Sequence, residues 1–423
     1  MMVNGNAGEY LTSFFEMRLK TNARLLDLNQ LNDAEWSAFL HEYTHFLQDI
    51  STISGLNNIS LWKDYLIKIR SQLEMGDSTE FSVPVMLESN TDDVEYNFNR
   101  NNTALGDCTE IKQFDVEQIE ENNVDEWHGD FLGEFRKIII HTKNNESIEF
   151  GTKAIRESMA YLMEQLCAPS ACGSLDDFPY NAAKKIADFY IPDFSNNKER
   201  LLALCDASLM LEYPGCFFVD TIKKIKNGFA IYNSAESIYQ FFMNAKAEDA
   251  KGNKTTYIKY FEYTLKNVIQ ELKNYVDDSI PYKKSYNSWL NNLQSFILSW
   301  RKTDPYFLLK LAREGRVNGN KYLSRCLKTI GTPLITNNEM FFYKVQNTQT
   351  DVEVFKGIKQ IKDLFDEGAV ECALKGWCES SPKNVVDDKC DKCPWEKVND
   401  EIGCPYSILW KQHGFMNFKP ILS

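Results

Sequence analysis

Residues 32–50 read NDAEWSAFLHEYTHFLQDI. Apolar residues recur here at spacings of three and four, the pattern of an amphipathic helix with one buried face. Asn32 or Asp33 can cap the start of this helix, and Glu35 stands three residues after Asn32, close to a capping box. The stretch therefore predicts a helix from about residue 32, and residues 32–75 as a whole are expected to be helical.

Residues 41–45 place two histidines and a glutamate in the middle of that helix, as His41-Glu42-Tyr43-Thr44-His45. Residues four apart lie one turn apart on the same helix face, so both imidazoles can reach one metal ion. Glu42 lies beside them, where it can take a proton from water without being a ligand. This H-E-x-x-H pattern predicts a zinc site.

A catalytic zinc site needs a third protein ligand and an open fourth position. Together with residues 154–164, the motif resembles the zincin superfamily of zinc peptidases, and in particular its gluzincin type. The resemblance implies a third ligand from a later helix, a glutamate followed three residues on by a small residue. Glu157, which lies 112 positions after His45, and Ala160 occupy those places. Glu164 and Glu149 are the next candidates.

The resemblance also implies a mechanism. Zinc held by His41, His45 and Glu157 would polarise a scissile carbonyl. Glu42 would act as the general base and then pass its proton to the leaving amine. The implied reaction is the hydrolysis of a peptide bond.

Two supporting roles stay open in the sequence. An oxyanion donor is expected, with tyrosine or histidine as the usual residue types, and the chain offers 20 tyrosines, His128 and His141. Asp49, four residues after His45, either is an exposed helix residue or orients the His45 imidazole.

Five cysteines lie within 33 residues near the end of the chain, and two of them form a tight C-x2-C pair. Four thiolates make a closed, structural zinc site. An iron–sulfur cluster uses the same ligands, and free cysteines or a disulfide are further alternatives. The predicted ligands are Cys378, Cys390, Cys393 and Cys404, with Cys372 or His413 as substitutes.

The charge of the chain is concentrated in one segment. The whole chain has a formal charge of −13, and residues 76–135 alone carry −14. This segment is expected to be a solvated insertion, or else an acidic rim that selects basic substrates. We find no basic stripe for nucleic acid, no phosphate-binding glycine loop for a nucleotide and no long apolar run for a membrane.

The number and spacing of the cysteines indicate the cellular compartment. Eleven cysteines are an odd number, and they are not spaced as in a small disulfide scaffold. The first 20 residues lack a basic region followed by a long apolar run, so a secretory signal is not expected. The sequence predicts a cytoplasmic protein.

The predicted fold class is α+β and predominantly α-helical, with a zincin-like core and a small antiparallel sheet. Alternating runs predict strands at 81–87, 94–98, 111–116, 137–142 and 147–151, followed by a helix at 152–167. Residues 182–330 read as mostly helical. We expect a core at 1–180 with an insertion at 76–150, a helical region at 181–365 and a Cys-rich module at 366–423.

The function predicted from these patterns is that of a zinc-dependent peptidase, an endopeptidase acting on a specific intracellular protein. Two other classes of protein fit the same sequence. One is a non-catalytic interaction protein that keeps a structural metal site, although such a site would not need Glu42. The other is a zinc hydrolase of small amides.

Overall fold

The computed structural model describes residues 7–22, 28–87, 93–128, 131–228, 234–248, 254–276, 283–315, 320–338, 342–343, 352–379, 385–399 and 404–422. Helices dominate these residues, and the strands form small sheets, so the predicted α+β, predominantly α-helical fold class is confirmed. A single hydrophobic cluster extends from Tyr10 to Phe415. The division of the chain at residues 180 and 365 stays a prediction.

The elements of the fold are numbered in chain order. The strands are β1 (Gly8–Leu11), β2 (Glu16–Leu19), β3 (Glu80–Val83), β4 (Val116–His128), β5 (Phe131–Thr142), β6 (Ser147–Phe150), β7 (Lys246–Glu248), β8 (Lys254–Thr256), β9 (Leu334–Thr336), β10 (Phe342–Tyr343) and β11 (Lys419–Leu422). The helices are α1 (Asp33–Ser51), α2 (Ile53–Met75), α3 (Asp93–Leu105), α4 (Thr152–Cys167), α5 (Ala182–Tyr190), α6 (Lys198–Leu209), α7 (Pro214–Lys226), α8 (Ala235–Asn244), α9 (Tyr257–Lys273), α10 (Lys283–Thr303), α11 (Phe307–Glu314), α12 (Lys321–Thr329), α13 (Glu353–Glu367), α14 (Lys375–Glu379), α15 (Lys389–Lys392) and α16 (Pro405–Gln412).

The helix α1 begins with the predicted capping box. The side chain of Asn32 accepts hydrogen bonds from the amides of Ala34 and Glu35, and Glu35 in turn accepts one from the Asn32 amide. These contacts satisfy amides that the first turn of a helix leaves unpaired. The predicted helix at 32–75 is in fact two helices, because Thr52 ends α1 and caps α2.

The helix α4 packs along α1 and has the bounds predicted for it. Ala160 is fully buried, and its small side chain fits a close approach between helices. Since α1 carries the H-E-x-x-H motif and α4 carries Glu157, this packing brings the two parts of the predicted site together.

A mixed sheet flanks α1, with the strand order β1-β2-β9-β10. The β2–β9 pair is parallel and the other two pairs are antiparallel. A separate antiparallel sheet has the order β4-β5-β6 and contains the strands predicted at 137–142 and 147–151. Two-stranded sheets join β3 to β11 and β7 to β8.

Three of the predicted strands differ in the structure. Residues 94–98 belong to the helix α3, because Val94 and Phe98 are also four apart and the Phe98 ring packs on Trp62 and Tyr65 of α2. Of residues 111–116, Ile111 forms an isolated bridge to Phe178 and Val116 is the first residue of β4. The strand predicted at 81–87 ends at Val83.

Among the described residues, no helix combines the length and the apolar character that crossing a bilayer requires.

Candidate metal centre

Two imidazoles on α1 and a carboxylate on α4 meet in the protein interior. His41 and His45 are each 6% exposed, and Glu157 is 7% exposed. The Nε2 atoms of His41 and His45 lie 3.2 and 3.3 Å from the same oxygen, Oε2 of Glu157. Within the described ranges, this is the one group of three or more histidine, cysteine, aspartate or glutamate residues whose potential metal-binding atoms all lie within 4.8 Å of one another.

Each imidazole has a second contact through its Nδ1 atom. Nδ1 of His45 lies 2.8 Å from Oε1 of Gln48, whose amide nitrogen donates to the Arg156 carbonyl. Nδ1 of His41 lies 2.9 Å from Oε1 of Glu164. The Gln48 contact fixes the orientation of the His45 ring, and both Nε2 atoms face Glu157, which is the arrangement in which a histidine binds a metal.

Gln48, rather than Asp49, orients His45. Asp49 is neither the exposed residue nor the His45 partner that the sequence suggests, because its fully buried carboxylate is committed elsewhere. It accepts hydrogen bonds from the Tyr10 hydroxyl, the Ser13 amide and the Arg156 guanidinium, at 3.0, 2.6 and 2.6 Å. The Asp49–Arg156 ion pair ties α1 to α4 next to the site.

Replacing Asp49 with Ala is expected to lower the free energy of unfolding of the metal-free protein by about 3–5 kcal/mol, because Arg156 would stay buried without its charge partner. Urea denaturation measures this loss. The control is Glu74→Ala, which breaks the half-exposed Arg70–Glu74 pair and should cost less than about 1 kcal/mol. Equal losses in the two variants would contradict a structural role for the buried pair.

Charge balance in the site depends on Glu157. Burial favours a higher pKa for this carboxyl, but His45 and Lys153 outweigh it and hold the pKa well below its ordinary value. Lys153 contacts Oε1 of Glu157 at 2.6 Å, which leaves Oε2 for the histidines. Burial also opposes a charge on His41, yet its contacts with Glu157 and Glu164 raise its pKa well above the ordinary value. The site therefore pairs an anionic carboxylate with groups that hold positive charge.

Glu42 lies beside the histidines without joining the group of three donors. Burial raises the pKa of its carboxyl, and Glu157 and Glu164 act in the same direction, against His41 and His45. Gly8 of β1 packs directly against it: a Cβ atom there would lie 2.8 Å from Cγ of Glu42. The first strand of the mixed sheet thus borders the predicted base.

Two described tyrosines border the histidines: Tyr10 stacks on His45 but donates its hydroxyl to Asp49, and Tyr180 lies against His41. Its ring packs edge-on against His41, with 5.9 Å between the ring centroids. Burial raises the pKa of its hydroxyl, and so do the carboxylates of Glu157, Glu110 and Glu42, so the hydroxyl keeps its proton at neutral pH. Of the two histidine candidates, His141 instead contacts Glu120 and Ser147 on the antiparallel sheet. The side chain of His128 lies outside the described residues.

The other predicted ligands lie in three different places. Glu164 contacts His41 from the side opposite Glu157, and Glu149 pairs with Lys137 on β6 and β5. His413 is partly buried next to the Tyr275 ring, and desolvation lowers its pKa to about 4. The five predicted cysteines lie in the C-terminal segment. Cys393 is partly buried there, and the buried ones are Cys372, Cys378, Cys390 and Cys404.

Sequence reasoning missed several residues that shape the site. Gln48 is the one that helical spacing could have indicated, because it lies three residues after His45 and shares its face. Gly8, Tyr10 and Tyr180 come from other elements, and no local pattern marks them.

Comparison with protein-family models, curated proteins and solved structures finds no match to this chain.

Proposed function

We propose that this chain is a zinc-dependent peptidase, a hydrolase of the zincin type. The observation that carries the proposal is the convergence of His41, His45 and Glu157 around one point, with Glu42 adjacent to them. A purely structural metal site would need the three ligands but not a fourth, buried acid beside them. Glu42 is the group that hydrolysis requires.

The donor set fits zinc. Two imidazole nitrogens and one carboxylate oxygen are the ligands of a common type of catalytic zinc site, which keeps one position open. Ligand atoms about 2.0–2.1 Å from a tetrahedral ion lie about 3.3 Å from one another. The distances from Oε2 of Glu157 to the two Nε2 atoms are 3.2 and 3.3 Å, so the side chains need little movement.

The mechanism assigns separate tasks to these residues. His41, His45 and Glu157 would hold the ion, which would supply Lewis acidity to polarise a carbonyl and acidify water. Glu42 takes a proton from the attacking water as its oxygen bonds to the carbonyl carbon. Glu42 then gives that proton to the amine nitrogen as the carbon–nitrogen bond breaks. Its raised pKa suits a group that must both accept and release a proton.

A peptide is the substrate that the surroundings of Glu42 favour. In the described part of the chain, β1 is an outer strand of its sheet, and Gly8 on that strand touches Glu42. An extended peptide can pair with such a strand through main-chain hydrogen bonds. Such pairing would place the peptide bonds of the substrate next to Glu42. A small amide has no extended main chain, so it would not need this strand.

Tyr180 would donate a hydrogen bond to the oxyanion. Tyr180→Phe is expected to lower kcat about 100- to 1,000-fold with the zinc content unchanged, because the donor acts on charge that develops in the transition state. Steady-state kinetics and elemental analysis measure the two quantities. Tyr161→Phe is the matched control, since its hydroxyl donates to the Gly173 carbonyl and its ring borders Tyr180. Equal rates for Tyr180→Phe and wild type would remove Tyr180 from the mechanism.

The test of the function is a cleavage assay on the full chain loaded with zinc. A mixture of unfolded proteins and peptides serves as substrate, and new amino termini are identified by mass spectrometry. We expect cleavage by the wild type and none by His41→Ala/His45→Ala. Hydrolysis of small amides or esters without any peptide cleavage would reject the peptidase in favour of another zinc hydrolase. No zinc binding by the wild type would reject both.

A further inference from the structure

The C-terminal segment contains a second concentration of metal-binding side chains that the proposed peptidase does not use. Its four buried cysteines are 4–5% exposed and are called here the thiol cluster: Cys372, Cys378, Cys390 and Cys404. They come from separate parts of the segment. Cys378 and Cys390 lie on α14 and α15, Cys404 precedes α16, and Cys372 lies in the loop before α14. All eleven cysteines of the chain are free thiols.

The members of the thiol cluster are close neighbours. The Cys372 amide donates a 2.8 Å hydrogen bond to the Cys390 carbonyl, which joins two parts of the segment directly. Burial is the main cause that raises the pKa of the Cys372 thiol to about 12, and charge on Cys404, Cys378 and Cys390 contributes in the same direction. Burial and the charges of Cys404 and Cys390 act in the same way on the pKa of Cys378.

Cys393 differs from these four, although it forms the C-x2-C pair with Cys390. It is partly exposed, and its sulfur lies 3.5 Å from a carboxylate oxygen of Glu396. Its raised pKa has burial and Glu396 as its main causes. The thiolate charges that act most on Cys372 and Cys378 are those of the other members of the thiol cluster, so Cys393 is the outlying thiol.

A buried cation accompanies the thiol cluster. The Lys397 side chain is 2% exposed, and its ammonium group donates to the Cys390 sulfur at 3.5 Å. The same ammonium contacts Asp387 at 3.0 Å. Four thiolates around one divalent ion carry a net charge of about −2, and burying that charge is costly unless a cation lies nearby. Lys397 supplies such a cation.

We propose that Cys372, Cys378, Cys390 and Cys404 form a second metal site, a closed four-thiolate site for one zinc ion. The ligand set differs from the one expected from the C-x2-C spacing, because Cys372 takes the place of Cys393. Among the described residues, only His41, His45 and Glu157 have three donor atoms within 4.8 Å of one another. The four sulfurs of the thiol cluster are therefore more widely spaced, and they must move closer together to bind one ion. Binding would therefore order the segment as well as neutralise its thiolates.

The location of the site indicates what the ion would stabilise. The short helices α14 and α15 offer little core of their own, and α16 packs on α13 so closely that a Cβ on Gly357 would overlap Leu409. The helix α13 in turn places Lys356 in a buried 2.8 Å ion pair with Glu16 of β2. Metal binding at the thiol cluster would thus hold the C-terminal segment against the sheet that borders Glu42.

The test uses the full chain in the His41→Ala/His45→Ala background, so that its outcome does not depend on the peptidase site. Elemental analysis should give about one zinc per chain in this background. Adding Cys372→Ser should reduce it to near zero, whereas adding Cys393→Ser should leave it unchanged. The two substitutions are matched, because each replaces one thiol of the same segment. Zinc lost with Cys393→Ser and kept with Cys372→Ser would overturn the proposed ligand set.

Two further measurements do not depend on a folded Ser variant. Cobalt bound in place of zinc should give the intense sulfur-to-metal charge-transfer absorption of thiolate ligands. Alkylation followed by mass spectrometry should find the thiol cluster protected with metal and reactive after chelation, with Cys393 reactive in both. Disulfides among these four cysteines, iron with acid-labile sulfide, or the absence of bound metal would each overturn the zinc site.

Discussion

Replacing Glu42 with Gln is expected to abolish peptide cleavage while leaving the zinc content unchanged. Glutamine has the same shape as glutamate but cannot accept a proton, so the attacking water loses its base. Removal of a general base costs about 100- to 10,000-fold in rate, and Glu42 has two proton transfers to perform. Since Glu42 is outside the group of three donors, the site should still bind its ion. Single-turnover cleavage and elemental analysis on one preparation measure both effects.

The size of the substitution makes this experiment specific. Gly8 packs against Glu42 so closely that a larger change would disturb β1, whereas Glu→Gln adds no heavy atom. The control is Glu74→Gln, the same kind of substitution at a half-exposed residue of α2. A change at Gln48 would be unsuitable, because Gln48 contacts the His45 ring. The Glu74→Gln variant should keep full activity. Cleavage at the wild-type rate by Glu42→Gln would end the proposed mechanism, whatever the zinc content.

The fold could be predicted from the sequence where local pattern decides it. The capping box at Asn32 and the apolar stripe of α1 are local signals, and both match the structure. The α4 bounds follow from Gly151 and a helical repeat. Residues 94–98 were wrongly predicted because five residues suit either a strand or one turn of a helix. Packing on Trp62 and Tyr65 decides between them, and that contact is not local.

The same difference between local and long-range signals applies to the candidate site. Spacing alone places His41 and His45 on one helix face, but it leaves the third donor open among Glu157, Glu164 and Glu149. Helix packing decides which of these lies near both imidazoles. Tyr180 was one of 20 tyrosines in the sequence, and it faces His41 because the turn before α5 packs on α4, where the Ser158 hydroxyl donates to the Pro179 carbonyl.

The position of Asp49 shows why a residue's role cannot be assigned from its spacing without its burial. An aspartate four residues after a metal-binding histidine has the same spacing whether it is exposed or buried. Its partners Tyr10 and Ser13 lie 39 and 36 positions earlier, and Arg156 lies 107 positions later. Contacts of that range make Asp49 part of the frame that positions α1 and α4, while Gln48 holds His45.

Glu157→Gln is expected to weaken zinc binding far more than Glu164→Gln, although both residues contact His41. Glu157 shares its Oε2 atom between the two imidazoles, so it lies where the ion would lie next to them. Glu164 contacts only the far nitrogen of His41, and loss of such an outer contact costs about 10- to 100-fold in metal affinity. Glu157→Gln should exceed about 100-fold, since a carboxylate ligand and its charge are both lost.

Competition titrations with a zinc indicator measure the two affinities, in a Cys372→Ser background that removes the proposed thiolate site. A second readout comes from the metal-free protein: His41 should titrate at a lower pH in both variants, because Glu157 and Glu164 each raise its pKa against the effect of burial. That shift tests whether each carboxylate acts on His41 in the metal-free site. A large loss of affinity in Glu164→Gln and little loss in Glu157→Gln would make Glu164 the third ligand, and α1 and α4 would then have to hold the ion on the other side of His41.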